Sequence, residues 1–516
     1  MGLSRRFTSL GLLTLSINGM LGSAWLFAPL YAAKIAGPAS LVAWLIAGLA
    51  TMLIALTFAE LSVHLPVAGG TAAIPARSHG MLTGFVMGWI AWLSALTMAP
   101  IEVQAVLQYA ATRFPSLMSN ASGTPVLTGV GLLAATVLML FLSVVNIASY
   151  RGLVRFNSIL FTFKVAVIVV TVVTLLHTAA HASNFSDIPV HLTSLSGWQG
   201  ILSAVASGGV AFAFTGFKHG VELAGETRKS PWAIPLATVG SVFCCMVLYI
   251  ALQAAFLAVL DPSAVAGGWS HLRFAGDIGP FAGLAAVLGL GWLLKLLYVD
   301  AAVSPMGAGL IYVTSTARIL YAMSDLGFFP RWVMKLNRED FPVAAIMVNF
   351  VIGMFLFLPL PGWQAMTGFL VSGMVLSYAM GPIALLSLRK TWKNEDGFRL
   401  PCAQILCLVA FYFCNLISYW TGWAILKKLA IALGIGLLVF VFACLRGRIT
   451  LRNAGLRAAF WLIPWFAGLV IISALGAFGG SNLIPFGWDF AVMAVFSMII
   501  FFFAVRQKSA TTDFFR

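Results

Sequence analysis

Long apolar stretches separated by short polar breaks recur along the whole chain. A helix needs about 20 apolar residues to cross the hydrocarbon core of a bilayer, whereas a β-barrel shows alternating segments of about ten residues. The pattern therefore predicts fourteen spanning helices. They lie near residues 7–33, 40–64, 81–111, 126–149, 154–177, 200–226, 233–260, 281–322, 343–359, 364–388, 402–422, 427–445, 456–478 and 487–505. The eighth stretch exceeds one crossing, and its first part is expected either outside the membrane or lining a vestibule.

Composition agrees with an all-α polytopic membrane protein. The chain has 516 residues, of which 61% are hydrophobic and only 9% charged, and its mean hydropathy is +0.99. Soluble domains carry about 25% charged residues, so a soluble protein is excluded. The connection at 64–80 is punctuated by Pro and Gly and is interpreted as a cytoplasmic link between spans.

The net charge of +15 lies in alternate short loops, at positions such as Arg151, Arg155, Arg228 and Lys229. This is the positive-inside pattern of a cytoplasmic membrane, and it indicates lipid rather than nucleic acid as the surrounding partner. We predict a bacterial inner-membrane protein with both termini in the cytoplasm. No zinc-type His or Cys spacing and no G-x-x-x-x-G-K-[ST] motif occurs. Neither a metal, a cofactor nor ATP-driven transport is therefore predicted.

Two spans carry clusters of small residues near their middles. The first contains "INGMLGSAWLFAP" (17–29) and the sixth contains "GGVAFAFTGFKHG" (208–220). Small residues in one membrane helix are typical of close helix packing. Their recurrence five spans apart instead favours an inverted-repeat transporter, in which two discontinuous helices form the central site. Unwound backbone at this depth is tolerated where it faces a cavity.

Four sequence blocks, in the right order, resemble the amino acid–polyamine–organocation (APC) superfamily of permeases. Its first-helix pattern I-G-x-x-I-G-S-G-I-F-x-x-P is similar to the segment 17–29, and "FAELSVHLPVAGG" (58–70) matches the following block. "FAFTGFKHGVELAGETRKSPWAIP" (212–235) and "TARILYAMSDLGFFP" (316–330) match the other two. The resemblance implies a five-plus-five inverted repeat, with repeats at 1–177 and 200–388. Four additional C-terminal helices would occupy 402–505.

The resemblance also implies where the substrate binds. Members of the family hold the α-carboxylate of an amino acid on amides of the broken first helix, which here are those of Gly22, Ser23 and Ala24. The start of a half-helix favours an anion. The α-amine would contact carbonyls at both breaks, and an aromatic residue would serve as a lid. The residues implied to line the sixth-helix break are Phe212, Phe214, Thr215, Gly216 and Phe217.

Three lysines, Lys164, Lys218 and Lys295, lie inside apolar stretches, where a charge is costly and therefore suggests function. Lys164 matches the position at which proton-coupled members of the family carry a lysine in place of a sodium site. Its ammonium group can substitute for a cation that bridges spans 1, 5 and 8. We therefore predict that Lys164 couples protonation to transport, with structural ion pairing as the alternative.

Lys218 stands where the family usually has an acidic residue. Its G-F-[KR]-H-x-V-E-L-A-G-E context looks like the group that includes bacterial aspartate–proton symporters. In one interpretation Lys218 neutralises a second carboxylate of an acidic substrate. In the other it belongs to a salt-bridged helix face with Glu222 and Glu226, because i, i+4 positions are neighbours. Glu102 on span 3 is expected to select cationic groups, to contact the α-amine or to pair with Lys218.

Three further charged residues are candidates for gates. Asp300 is interpreted as an outer gate or as a partner of Lys295. Arg318 is assigned, with Asp325, to a cytoplasmic network that closes the inner side, and Glu222 is a gate candidate as well. The leading hypothesis is secondary active, proton-coupled import of an amino acid, with aspartate or glutamate favoured. An amino acid or amine exchanger is the nearest alternative, followed by a non-transporting sensor. No constellation of catalytic residues indicates an enzyme.

Overall fold

The structure is a computed structural model. It describes residues 8–65, 70–119, 125–148, 150–178, 180–222, 232–272, 274, 279–337, 341–392, 397–446 and 455–507. Glu226 lies outside the described residues.

Helices account for most of the described residues, as the apolar pattern predicts. The α-helices are α1 Ser9–Met20, α2 Ala24–Ala36, α3 Ser40–His64, α4 Gly70–Leu96, α5 Met98–Ala111, α6 Gly129–Ala148, α7 Tyr150–Thr178, α8 Ile188–Thr193, α9 Leu195–Ser207, α10 Lys218–Glu222, α11 Ala233–Pro235, α12 Ser241–Val259, α13 Pro280–Val287, α14 Gly291–Asp325, α15 Val343–Phe355, α16 Trp363–Tyr378, α17 Met380–Arg389, α18 Ala403–Trp420, α19 Trp423–Leu445, α20 Leu456–Ala459, α21 Leu462–Leu475 and α22 Trp488–Arg506. A two-stranded antiparallel pair, Met118–Ser119 with Val126–Leu127, is added to the all-α prediction.

Within these ranges, eleven helices are long and apolar enough to cross a membrane, or twelve if one bent pair is a single span. Two shorter apolar helices, Ser9–Met20 and Val343–Phe355, accompany them. The chain is thus a polytopic helical protein, and the count of fourteen crossings stays a prediction.

Two predicted segments differ from the structure. The eighth apolar stretch is two helices, α13 and α14, separated at Leu288–Leu290, where Gly289 has φ +71. The connection predicted at 64–80 is helical from Gly70, with a kink at His79 and Gly80. Its apolar residues are buried in the core, and this burial outweighs the local preference for a loop.

Helix α14 is central in the bundle, since it contacts α4, α5, α6, α7 and α15. Helix α1 packs against α7, α12 and the segment that follows α9. The buried amide of Gln253 on α12 links two further helices, because its Nε2 donates to Pro29 O of α2 at 3.2 Å and its Oε1 accepts from Trp44 Nε1 of α3 at 2.9 Å.

The C-terminal helices pack onto this core rather than lying apart from it. Helix α18 contacts α3, α9, α16 and α17 on one side and α22 on the other. Asn415 joins three of these helices, because it accepts a hydrogen bond from Trp465 Nε1 at 2.9 Å and donates to Ser497 Oγ at 2.8 Å. Through these contacts, α18 and the helices packed on it support α3 and α16.

Candidate functional site

The first break lies at Leu21–Ser23, between α1 and α2, in the middle of the predicted first span. Leu21 leaves the helical region at φ −80 and ψ 63, and Gly22 N donates to Met20 O at 2.9 Å. Helix α2 then starts at Ala24 with Ser23 as its N-cap. The prediction of a broken first helix is confirmed at this point.

The sixth-span break lies earlier in the chain than the sequence predicted. Helix α9 ends at Ser207, and the helices on either side of the break meet at an angle of 42°. Gly209 has φ +84, a conformation that glycine adopts without steric cost. The open segment is therefore Gly208–Ala211, while Phe212–Phe217 forms a tight 3₁₀ turn and α10 resumes at Lys218.

The backbones next to the two breaks are in contact, between the 3₁₀ segment that follows the second break and the end of α1. A Cβ atom added to Gly216 would lie 2.7 Å from Met20 N and 2.8 Å from the carbonyl carbon of Gly19. The Tyr249 hydroxyl donates to Met20 O at 2.7 Å, and the Tyr378 hydroxyl donates to Thr215 O at 3.2 Å. Buried phenols thus satisfy carbonyls that the broken helices leave free.

Gly216→Val is expected to abolish substrate binding while the protein still inserts into the membrane. The added side chain meets backbone atoms that cannot rotate away, so the segment Phe212–Phe217 must move away from the end of α1, next to the first break. Gly434→Val is the matched control, because a Cβ at Gly434 meets nothing within 4 Å. Binding of radiolabelled substrate to both purified variants checks this, and normal binding by Gly216→Val would refute the backbone contact as part of the site.

The backbone amide of Ser23, which was predicted to bind the substrate carboxylate, is hydrogen-bonded to the carboxylate of Glu102. The Ser23 N–H donates to Glu102 Oε2 at 2.7 Å, and Ser23 Oγ accepts from Trp363 Nε1 at 2.9 Å. A Cβ on Gly22 would lie 2.5 Å from Glu102 Oε1. All four residues are buried. The alternative in which Glu102 pairs with Lys218 is wrong, because Glu102 turns towards the first break.

Lys164 also reaches the first break, from α7. Its ammonium donates to Asn18 O at 3.4 Å and interacts electrostatically with the carboxylates of Asp300 and Glu102. Asp300 is buried on α14 and accepts a hydrogen bond from Ser304 Oγ at 2.6 Å. Lys164 thus hydrogen-bonds to α1 and interacts electrostatically with α14, while its role as a bridge between spans 1, 5 and 8 stays a prediction.

The alternative partner for Asp300 is wrong. Lys295 is exposed on α14, whereas Asp300 is buried and interacts electrostatically with Lys164. The two side chains point in different directions because five residues along a helix correspond to about 1.4 turns, which places them on different faces of α14.

Lys218 forms the i, i+4 ion pair that the sequence offered as one interpretation. Its ammonium lies 3.6 Å from Glu222 Oε1, 3.6 Å from the Met374 sulfur and 5.9 Å from the centre of the Tyr312 ring. The Tyr312 hydroxyl donates to Gly19 O at 3.1 Å, so one aromatic ring separates Lys218 from the first break. Glu222 also interacts electrostatically with Arg318, a second gate candidate.

The three phenylalanines of the sixth-span segment each pack against a different set of aromatic rings. Phe212 meets Trp363 at 5.7 Å, Phe214 packs on Trp44 and Tyr249, and Phe217 packs on Phe58 and Tyr378; the distances join ring centroids. Of these three, Phe212 alone packs against Trp363, the residue whose indole N–H donates to Ser23 Oγ. Phe27 and Tyr31 pack against Trp363 as well, at 5.4 and 5.5 Å, and complete the Trp363 ring group.

Sequence reasoning missed Trp363, Tyr249, Tyr312 and Tyr378. Each has one polar side-chain atom, and buried phenol and indole groups need a partner. For the three tyrosines that signal was available, since an isolated Tyr inside a predicted span has no water to bond. Trp363 stands just before the predicted span 364–388 and gave no such signal. The partners themselves, backbone carbonyls and a serine at distant positions, carry no sequence signal.

Comparison with known proteins identifies the family. The model of the "Amino acid permease" family matches residues 7–515. The chain belongs to this family. It is 33% identical to the glutamate/serine transporter AimA of Bacillus subtilis strain 168, over 99% of this chain and 95% of the relative. It is 31% identical to the aspartate-proton symporter of the same organism, over 96% and 94% of the two chains. The branched-chain amino acid permease BcaP of the same organism is 24% identical over 85% of this chain and 92% of its own.

The family and the helices together establish a multi-pass inner-membrane protein that transports amino acids. Members of this family are transporters, which are not enzymes.

Proposed function

We propose that this permease imports an acidic amino acid together with protons, by secondary active transport. The observation that carries the proposal is the chain of charged groups at the first break, which runs from Lys164 through Glu102 to the Ser23 amide. The start of α2, which can bind an anion, thus lies close to two titratable side chains, those of Glu102 and Lys164.

The preference for acidic substrates rests on Lys218. An amino acid such as aspartate brings one carboxylate for the amides at 22–24 and a second that needs a cation in a site shielded from water. Lys218 lies near that site, beyond the Tyr312 ring. Two relatives at 31–33% identity are named for glutamate or aspartate transport, which agrees with this substrate class.

The wider architecture is proposed on the same basis. Fourteen crossings with cytoplasmic termini would separate α3 from α2, join α1 to α2, count the bent pair as one span and include Val343–Phe355. The inverted repeats would occupy 1–177 and 200–388, with the helices of 402–505 as additions. The two breaks, at 21–23 and 208–211, would then be equivalent positions of the repeats.

Two groups of side chains are proposed as gates. The rings of Phe27, Tyr31, Phe212 and Trp363 would close the outer side above Ser23. Asp300 on α14 is a second candidate for the outer gate. Glu222 and Arg318 would close the inner side. Substrate would reach the breaks only when one of these groups separates.

Uptake by purified protein in liposomes tests the proposal. With an inward proton gradient we expect aspartate or glutamate to accumulate above its external concentration, and we expect little accumulation of the other amino acids. Preloading the liposomes with substrate separates the exchanger alternative, which requires an internal substrate. Accumulation that depends on preloading and ignores the gradient would contradict proton symport.

A further inference from the structure

Glu102 occupies the anion site at the start of α2 as a substrate carboxylate would. Its Oε2 accepts the Ser23 N–H at 2.7 Å, within the range of a charge-assisted hydrogen bond. Helix α2 is 13 residues long, so its first turn presents a positive dipole end to this oxygen. The contact joins residues 79 positions apart and is made by a buried side chain, so it is a built feature of the site.

The space that the carboxylate fills is the space beside Gly22. Its Oε1 is so close that a Cβ on Gly22 would stand 2.5 Å away. A substrate carboxylate bound to the same amide would therefore displace Glu102 or lie against it. Two carboxylates about 3 Å apart cannot both remain ionised, so entry of the substrate must change the position or the protonation of Glu102.

The charged groups at and near Glu102 would be neutralised by the addition of one proton. Lys164 on α7 interacts electrostatically with Glu102 and also with Asp300 on α14, and the hydroxyls of Tyr249 on α12 and Tyr312 on α14 lie near Glu102. Two carboxylates and one ammonium give this buried group a net charge of −1, which is costly away from water. One added proton makes the group neutral, with Lys164 balanced by Asp300.

We infer that Glu102 is a tethered occupant of the substrate carboxylate site and that it leaves the Ser23 amide by taking up a proton as the substrate enters. This inference rests on the proposed function. One proton from the side of entry binds a Glu102 carboxylate oxygen, and the substrate carboxylate then accepts the Ser23 N–H. On release, the substrate leaves the amide, Glu102 loses the proton to the opposite side, and the Glu102–Ser23 contact forms again.

Counting protons during binding tests the inference directly. We would titrate wild-type protein in lipid nanodiscs with L-aspartate by calorimetry, in buffers that differ in ionisation enthalpy, at several values from pH 6 to pH 8. Towards the upper end of this range, the wild type is expected to take up about one proton per aspartate, and its affinity is expected to fall as the pH rises. Glu102→Gln is expected to bind aspartate without proton uptake and with an affinity that the pH hardly changes.

Two results would overturn the inference. In the first, Glu102→Gln takes up as many protons as the wild type. In the second, Glu102→Gln is folded and binds no aspartate at any pH while Glu102→Asp still binds it, which would make Glu102 a direct ligand. If the wild type binds a neutral amino acid instead, the acidic-substrate proposal fails, and the proton count made with that ligand still tests Glu102.

Infrared difference spectroscopy of the wild type gives a measurement that does not depend on the glutamine variant folding. Addition of substrate is expected to produce a carboxylic acid C=O band that shifts in D₂O and changes position in Glu102→Asp. The matched control is Glu60→Gln. Glu60 is also buried, but its Oε1 pairs with Arg389 Nε at a distance of 2.9 Å, and neither residue belongs to the breaks. The band must persist in that control, and its absence from the wild type would overturn the inference.

Discussion

Replacing Lys164 with alanine is expected to abolish proton-driven accumulation of substrate while much of the substrate binding remains. The ammonium of Lys164 donates to Asn18 O at the end of α1 and is the cation that faces Asp300 and Glu102. Without it, two buried carboxylates share one small volume and at least one retains a proton at all times. A proton that is never released cannot drive transport.

Uptake into liposomes with and without an imposed pH gradient measures this effect. In Lys164→Ala the ratio of internal to external substrate should approach one under both conditions, whereas the wild type should concentrate substrate when the gradient is present. Lys295→Ala is the matched control, because that lysine is exposed on α14. A Lys164→Ala protein that still concentrates substrate in response to the gradient would show that another group performs the coupling.

The helical architecture was largely predictable because membrane segments are marked by length and apolar content. Predicted segments such as 40–64 and 233–260 coincide with α3 and with α11–α12 almost to the residue. The first break was also predictable, since Gly19, Gly22 and Ser23 weaken a helix that is otherwise strongly apolar. Local sequence decides both features.

Other features depend on contacts that the local sequence does not encode. The sixth-span break lies at Gly208–Ala211 rather than within Phe212–Phe217, because Gly209 adopts φ +84 and the following turn packs against the backbone at Gly19. In spans that are apolar on all sides, periodicity gives no information about which face meets which neighbour. The Glu102–Ser23 contact and the Trp363 ring group were unpredictable for this reason.

Lys218 could be placed beside the second break from sequence, but its partner could not be chosen. Pairing with Glu102 and pairing with Glu222 both satisfied the same requirement, that a buried cation needs an anion. The structure selects Glu222 at 3.6 Å, one helical turn away. This ion pair does not remove the substrate hypothesis. Lys218 also lies 5.9 Å from the ring of Tyr312, whose hydroxyl donates to Gly19 O, just before the first break.

Replacing Lys218 with glutamate is expected to weaken the binding of acidic amino acids by about a hundredfold or more, and that of neutral amino acids much less. Removing one partner of a buried charge pair costs about 3–5 kcal/mol, and each factor of ten in affinity corresponds to about 1.4 kcal/mol. If Lys218 offsets the second carboxylate of the substrate, only substrates with that carboxylate bear the full cost. Competition binding of aspartate, glutamate, asparagine and glutamine to wild type and variant measures the difference.

The ion-pair interpretation makes a different prediction for the same variant. Glutamate at position 218 faces Glu222 with a like charge, which disturbs α10 and should weaken all four ligands equally. The double variant Lys218→Glu with Glu222→Lys is the decisive control, because it restores an ion pair of reversed polarity at i, i+4 spacing. If the pair alone matters, the double variant recovers the binding of every ligand. If the cation must stand at position 218, asparagine and glutamine recover while aspartate and glutamate stay weak. Equal losses in the single variant and equal recovery in the double variant would contradict the assignment of an acidic substrate to this permease.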